Sequence, residues 1–102
     1  MLMTKRKPAT IGEILNEEFL APLGLSQGAL AEAMGVPRKH VNELRNDRRK
    51  VTARTALILA RVLGNSAEFW LNAQRRGDLW EALNSPTERA RIERARPLTK
   101  VA

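Results

Sequence analysis

Apolar positions along the chain recur at helical spacing, in blocks separated by residues that start or stop helices. Thr10 followed by Glu13 reads as a capping box, and Ile11, Ile14, Leu15, Phe19 and Leu20 then supply an inward face that Pro22 and Gly24 close. Ser26 caps a second block with Leu30, Ala31 and Met34 on one side. Gly35 stops it, as expected where a left-handed residue must follow a helix. Pro37 opens a third block, because its missing N–H costs nothing in a first turn. Val41 and Leu44 face inward there, and Asn46-Asp47 ends the helix. Thr52 caps a fourth block carrying Ala56, Leu57, Leu59, Ala60 and Leu63, closed by Gly64. Ser66 caps the fifth and longest, Ala67 to Leu83, with Phe69, Trp70, Leu71, Leu79 and Trp80. Ser85-Pro86-Thr87-Glu88 reads as a second capping box with Pro at the first helical position, predicting a short sixth helix that Pro97 stops. No stretch alternates long enough for a strand. The pattern predicts an all-α domain of five or six helices.

Within it, residues 27–44 carry the spacing of a helix-turn-helix. Ala31 must be small where two helices cross steeply, Gly35 makes the tight turn, and Val36, Val41 and Leu44 fill the wedge. That geometry points the start of the third helix outward, with Arg38, Lys39 and His40 in its first turn. Such N-terminal residues reach base edges in the major groove. Cations at a helix N-terminus oppose the macrodipole, so Arg38 and Lys39 are poor choices for stability alone. They are the first candidates for base contacts, since an Arg fork suits guanine O6 and N7. Asn42 and Glu43, one turn on, either read adenine and cytosine or face water. Gln27, at the start of the second helix, is expected to touch phosphate. Arg45, Arg48, Arg49, Lys50 and Thr52 are expected to straddle the sugar–phosphate backbone, with His40 as a further phosphate contact.

Charge strengthens this reading. The 102 residues hold 18 Lys and Arg against 11 Asp and Glu, a net charge of +7, unevenly spread. Residues 11–35 contain four acids, Glu13, Glu17, Glu18 and Glu32, and no base. Residues 38–54 contain seven bases against two acids. Basic residues also gather in 1–10 and 86–102. Adjoining blocks of opposite sign predict two binding surfaces.

The composition narrows the chemistry. With 43% hydrophobic and 28% charged residues, the chain resembles an ordinary globular domain. There are no cysteines and no tyrosines, and His40 is the lone histidine, so neither a catalytic constellation nor a metal site is expected. Ser26, Ser66 and Ser85 all fall at helix caps without an adjacent base, so none is a candidate nucleophile. Apolar runs are too short to span a membrane, and no apolar segment follows Lys5, Arg6 and Lys7 as a secretory signal requires. No cofactor or small-molecule ligand is expected.

Residues 10–83 resemble the XRE, or lambda-repressor-like, helix-turn-helix family, and within it are similar to the HigA/VapI-type antitoxins. The resemblance rests first on Gly12-Glu13-Ile14-Leu15, Glu18-Phe19-Leu20 and Pro22-Leu23-Gly24-Leu25-Ser26-Gln27. It continues through Leu30-Ala31-Glu32-Ala33-Met34-Gly35-Val36, Val41-Asn42-Glu43-Leu44, Arg48-Arg49 and Thr52 to Leu63. The Glu68-Phe69-Trp70-Leu71 run is its most subfamily-specific piece. Two positions depart from the pattern: Thr10-Ile11 stands where His-Pro often precedes Gly12, and Pro37 replaces a Ser or Thr.

The resemblance implies a bacterial, cytoplasmic and nucleoid-associated dimer that binds double-stranded operator DNA upstream of its own operon and represses it. It also implies a partner toxin, a ribosome-dependent mRNA interferase of RelE-like fold, neutralised by direct binding. A homodimer is expected on physical grounds too, because one helix-turn-helix buries too little DNA for tight specific binding. The long fifth helix is the expected interface, through Ala73, Gly77, Leu79, Trp80, Leu83 and Asn84. A toxin that holds RNA should be basic, and Glu13, Glu17 and Glu18 form the acidic surface to meet it. The expected organisation is a flexible basic segment over 1–9, the helix-turn-helix domain with its dimerisation helix over 10–84, and a basic helix and tail over 85–102. A stand-alone XRE-type repressor without a toxin has the same helix-turn-helix and is the competing reading. An RNA-binding module is disfavoured because its stacking aromatics are few, two Phe and two Trp.

Overall fold

The computed structural model describes residues 6–98, and every regular element among them is a helix. Helix α1 runs continuously over residues 11–23, α2 is Gln27–Met34, α3 is Arg38–Arg45, α4 is Ala53–Leu63, α5 is Ala67–Asn84 and α6 is Pro86–Arg94. The expected all-α fold of five or six helices is observed, with six. Lys5 in the basic N-terminal segment and Lys100 in the tail lie outside the described residues.

The caps read from the sequence form as expected at most helix ends. Thr10 accepts from the Glu13 N–H while Glu13 reaches back to the Thr10 N–H, completing the capping box. Ser26, Thr52 and Ser66 each accept from the N–H three residues on. Gly24, Gly35 and Gly64 close α1, α2 and α4 with φ of 59°, 71° and 78°, where a side chain would be strained. Two expectations need correcting. Pro37 caps α3 from just outside, with extended ψ of 149°, so the first helical residue is Arg38. Ser85 caps α6 through Glu88 N–H, but the reciprocal bond from Glu88 does not form.

Helix α1 is not a uniform α-helix. Its Ile11–Ile14 start is α-helical, Leu15–Leu20 is wound as a π-helix, and Ala21–Leu23 is the closing turn. In an α-helix, residues five apart stand about 140° apart around the axis. The wider i→i+5 winding brings them closer to a common face. Leu15 and Leu20 are thereby both buried, at 0% and 6% exposure. Pro22 does not end the helix as expected, but it has no N–H to extend the π ladder, and the chain leaves helix one residue later.

The core lies where α1, α2, α3, α4 and the first half of α5 converge. Leu15, Leu30, Val41, Leu44, Leu59 and Trp70 are its largest fully enclosed side chains. Trp70 donates its indole N–H to Asn65 Oδ1 at 2.9 Å and meets the Phe69 ring edge-on with centroids 5.1 Å apart. Phe19 completes this aromatic cluster, joining α1 to the start of α5. Every residue of α6 is exposed. The molecule accordingly measures 53 × 22 × 22 Å with a radius of gyration of 16.6 Å, against about 13 Å for a compact chain of this length.

A tight joint connects the two ends of this arrangement. Gly12 in the first turn of α1 lies against the backbone at the C-terminus of α3. A Cβ there would fall 2.8 Å from the Arg45 carbonyl carbon and 2.9 Å from Asp47 Oδ2, and would collide with the Arg45 carbonyl oxygen. The Asp47 carboxylate accepts from Gly12 N–H at 2.9 Å through its other oxygen. Asp47 itself has φ of 58°, a left-handed conformation that Asp tolerates better than most residues. An anion at the start of α1 also complements its dipole.

Candidate nucleic-acid interface

The helix-turn-helix is formed by α2, the turn at Gly35 and α3. Val41 and Leu44 anchor α3 with no exposed surface, and Ala31 is buried at the crossing. Fixing that face inward turns Arg38 and Lys39 outward. Both are exposed, and neither side chain makes a hydrogen bond or ion pair among the described residues. Asn42 shares the outward side and donates to Gln27 Oε1 at 3.1 Å, a bond that ties the reading helix to the start of α2. Asn46 donates back to the Asn42 carbonyl at 2.9 Å, finishing the helix.

The basic residues divide into free and engaged. Arg48 is exposed with no side-chain partner among the described residues, and Arg45 is half-buried in the last turn of α3. Arg49 donates through Nε and Nη2 to Glu43 Oε1, at 2.9 and 2.7 Å. That bond, with the Arg49 charge, holds the Glu43 carboxyl below the usual carboxylate range. Glu43 is therefore turned to the loop and is not free to accept from a cytosine. Lys50 donates to Asp78 Oδ1 on α5 at 2.7 Å, a contact no sequence pattern announced. Thr52 uses its hydroxyl at the start of α4, bonding Thr55 N–H and the Thr55 hydroxyl.

His40, expected as a phosphate contact, is turned the other way. It is half-buried, and its Nε2 is enclosed without a partner in the structure. Burial lowers its pKa, the Arg49 charge lowers it further, and Glu43 opposes both. An imidazole with Nε2 enclosed and its pKa lowered is a poor phosphate ligand.

Helix α5 redistributes the expected dimer surface. Ala73 is 3% exposed and belongs to the core, so it has nothing to offer a partner. Trp80 is half-buried and, with Gly77, lines a small, partly open pocket of about 60 Å³ bordered by Lys7, Pro8, Ile11 and the loop around Lys50. Lys7 Nζ sits 6.0 Å from the Trp80 ring centroid. Asn84 donates to the Trp80 carbonyl of its own helix. The 73–77–80 stripe thus faces the N-terminal segment, because that segment crosses α5 there. Leu79 and Leu83, at 37% and 39% exposure, remain outward, followed by Ile92 on α6 at 49%. Glu13, Glu17 and Glu18 are all exposed on α1.

An exposed cationic first turn on a helix anchored by its opposite face is the arrangement of a DNA-reading domain. The helix-turn-helix family profile matches residues 17–70, and the chain belongs to that family, in its XRE-type branch. It is 50% identical to Antitoxin HigA-1 of Vibrio cholerae over 90% of its own length and 87% of the relative's. Among the solved structures that share the fold are two antitoxins. Antitoxin HigA of Pseudomonas aeruginosa, with the higBA promoter, has a TM-score of 0.80 and 35% identity, covering 90% of this chain and 99% of that one. Antitoxin GraA in complex with its operator has a TM-score of 0.83 and 36% identity, covering 98% and 100%.

Proposed function

We propose that this protein is a HigA-type antitoxin that binds operator DNA through α2 and α3, represses its own operon, and neutralises a toxin by holding it. The observation that carries the DNA half is the pair Arg38 and Lys39, exposed and unbonded among the described residues at the start of α3 while Val41 and Leu44 are locked inside. Relatives seen with a promoter and with an operator support it. In this reading Arg38, Lys39 and Asn42 face base edges, and Arg45, Arg48 and Gln27 meet phosphates. Arg49 reaches the backbone from its place beside Glu43. The protein acts as a homodimer in the bacterial cytoplasm, with Leu79 and Leu83 on the shared face.

The toxin half rests on the exposed carboxylates of α1, opposite in sign to the surface an RNA-cleaving, RelE-like partner needs. Two measurements test the whole. Fluorescence anisotropy with duplex from upstream of the gene should show tighter binding than a scrambled duplex of equal length, and equal binding overturns the operator reading. Co-expression with the product of the neighbouring small gene should rescue growth and yield a co-purifying complex. Operator binding without rescue or complex leaves a stand-alone repressor.

A further inference from the structure

Two of the three consecutive cations between α3 and α4 are bonded to carboxylates of the same chain. Arg49 is held by Glu43 from the reading helix, and Lys50 by Asp78 from α5, 28 residues away. The second pair is braced. Gln74 donates to the same Asp78 Oδ1 at 3.0 Å, and with its own Oε1 accepts from Val51 N–H at 3.0 Å. One side chain on α5 therefore fixes the loop backbone and also aims a carboxylate at the loop's last cation. Lys50 and Asp78 nevertheless keep 67% and 50% of their side-chain surface exposed, so the pair can be exchanged for another anion. A DNA phosphate is an anion of that kind.

We propose that Asp78 is a built-in competitor for the phosphate backbone at Lys50, lowering the affinity of the protein for DNA of any sequence while leaving base reading by α3 untouched. This rests on the operator-binding reading above. Sequence-independent affinity comes from cations placed on phosphates, each displacing a counterion. A lysine that must first leave a carboxylate contributes less than a free one. Exposed pairs are weak, so the competition is modest and reversible. Lys50, with its pKa raised chiefly by its bond to Asp78, stays charged throughout.

The test is Asp78→Asn, which keeps the shape and the Gln74 contact at an exposed position and removes the charge. Affinity for operator and scrambled duplexes is measured over a range of salt. Both affinities should rise by about threefold at low salt. The slope of log K against log salt should steepen by about one unit, with the operator-to-scrambled ratio unchanged. The gain should vanish when Lys50→Ala is already present. Unchanged or weakened binding by Asp78→Asn, or a gain that persists without Lys50, overturns the inference and leaves Asp78 as a strut or a diffuse charge. A wild-type protein that binds neither duplex overturns the operator reading and this inference together.

Discussion

Arg38, Lys39 and Arg48 are alike in charge but differ in placement, and that difference is measurable. Replacing Arg38 or Lys39 by Ala should cost about 1–3 kcal/mol on the operator and relax its specificity. Replacing Arg48 should weaken operator and random duplex alike and reduce the salt slope by about one unit. Equal losses on both duplexes for all three variants would show that α3 reads no bases. At the same scale, Gly12→Ala drives a methyl group into the Arg45 carbonyl. Overpacking of this kind costs about 1–3 kcal/mol, visible as an earlier midpoint in urea. His40 gives a pH signature. Its pKa is lowered by burial and by Arg49, so the folded state favours the neutral ring and binds fewer protons than the unfolded chain. Stability should be full above the ordinary histidine value of about 6.5 and decline as pH falls through it toward the folded value. The urea midpoint should be lower at pH 5.5 than at pH 7.5, and His40→Asn should shrink that gap.

The elements themselves were largely legible in the sequence, because their ends are chemical. Thr10, Ser26, Thr52, Ser66 and Ser85 each cap the helix expected of them, and the three glycines close theirs in the left-handed region. The π winding of α1 was not legible. It accompanies the burial of both Leu15 and Leu20, which depends on what α1 packs against and not on its own spacing. The site was legible only at residues whose direction follows from helical period. Lys39 points outward because Val41 and Leu44 point inward, and Arg38 is exposed as the first residue of α3. The directions of His40, Glu43 and Lys50 were not legible, because they depend on packing and partners elsewhere: His40 Nε2 is enclosed, Glu43 is bonded to Arg49 six residues on, and Lys50 to Asp78 in another helix. The spacing of Ala73, Gly77 and Trp80 correctly placed them on one stripe of α5 but could not say that residues 7–11 cross it.

Across the whole molecule, charge separates by helix. Glu13, Glu17 and Glu18 stand exposed on α1, while free cations stand on α3 and the loop after it. Reversing Glu17 and Glu18 to Lys should weaken toxin capture in a pull-down and leave operator affinity nearly intact. Capture that is unaffected would move the toxin to another surface, the basic helix α6 being the next to probe. These two surfaces are not independent bodies, because α1 begins where α3 ends, with Asp47 bonded to Gly12 and no room for so much as a methyl group between the backbones. The joint behaves as a weld. A protein that grips α1 takes hold of the handle of a rigid tool whose blade is α3, so it can swing the blade into or out of the groove without bending it and without touching DNA.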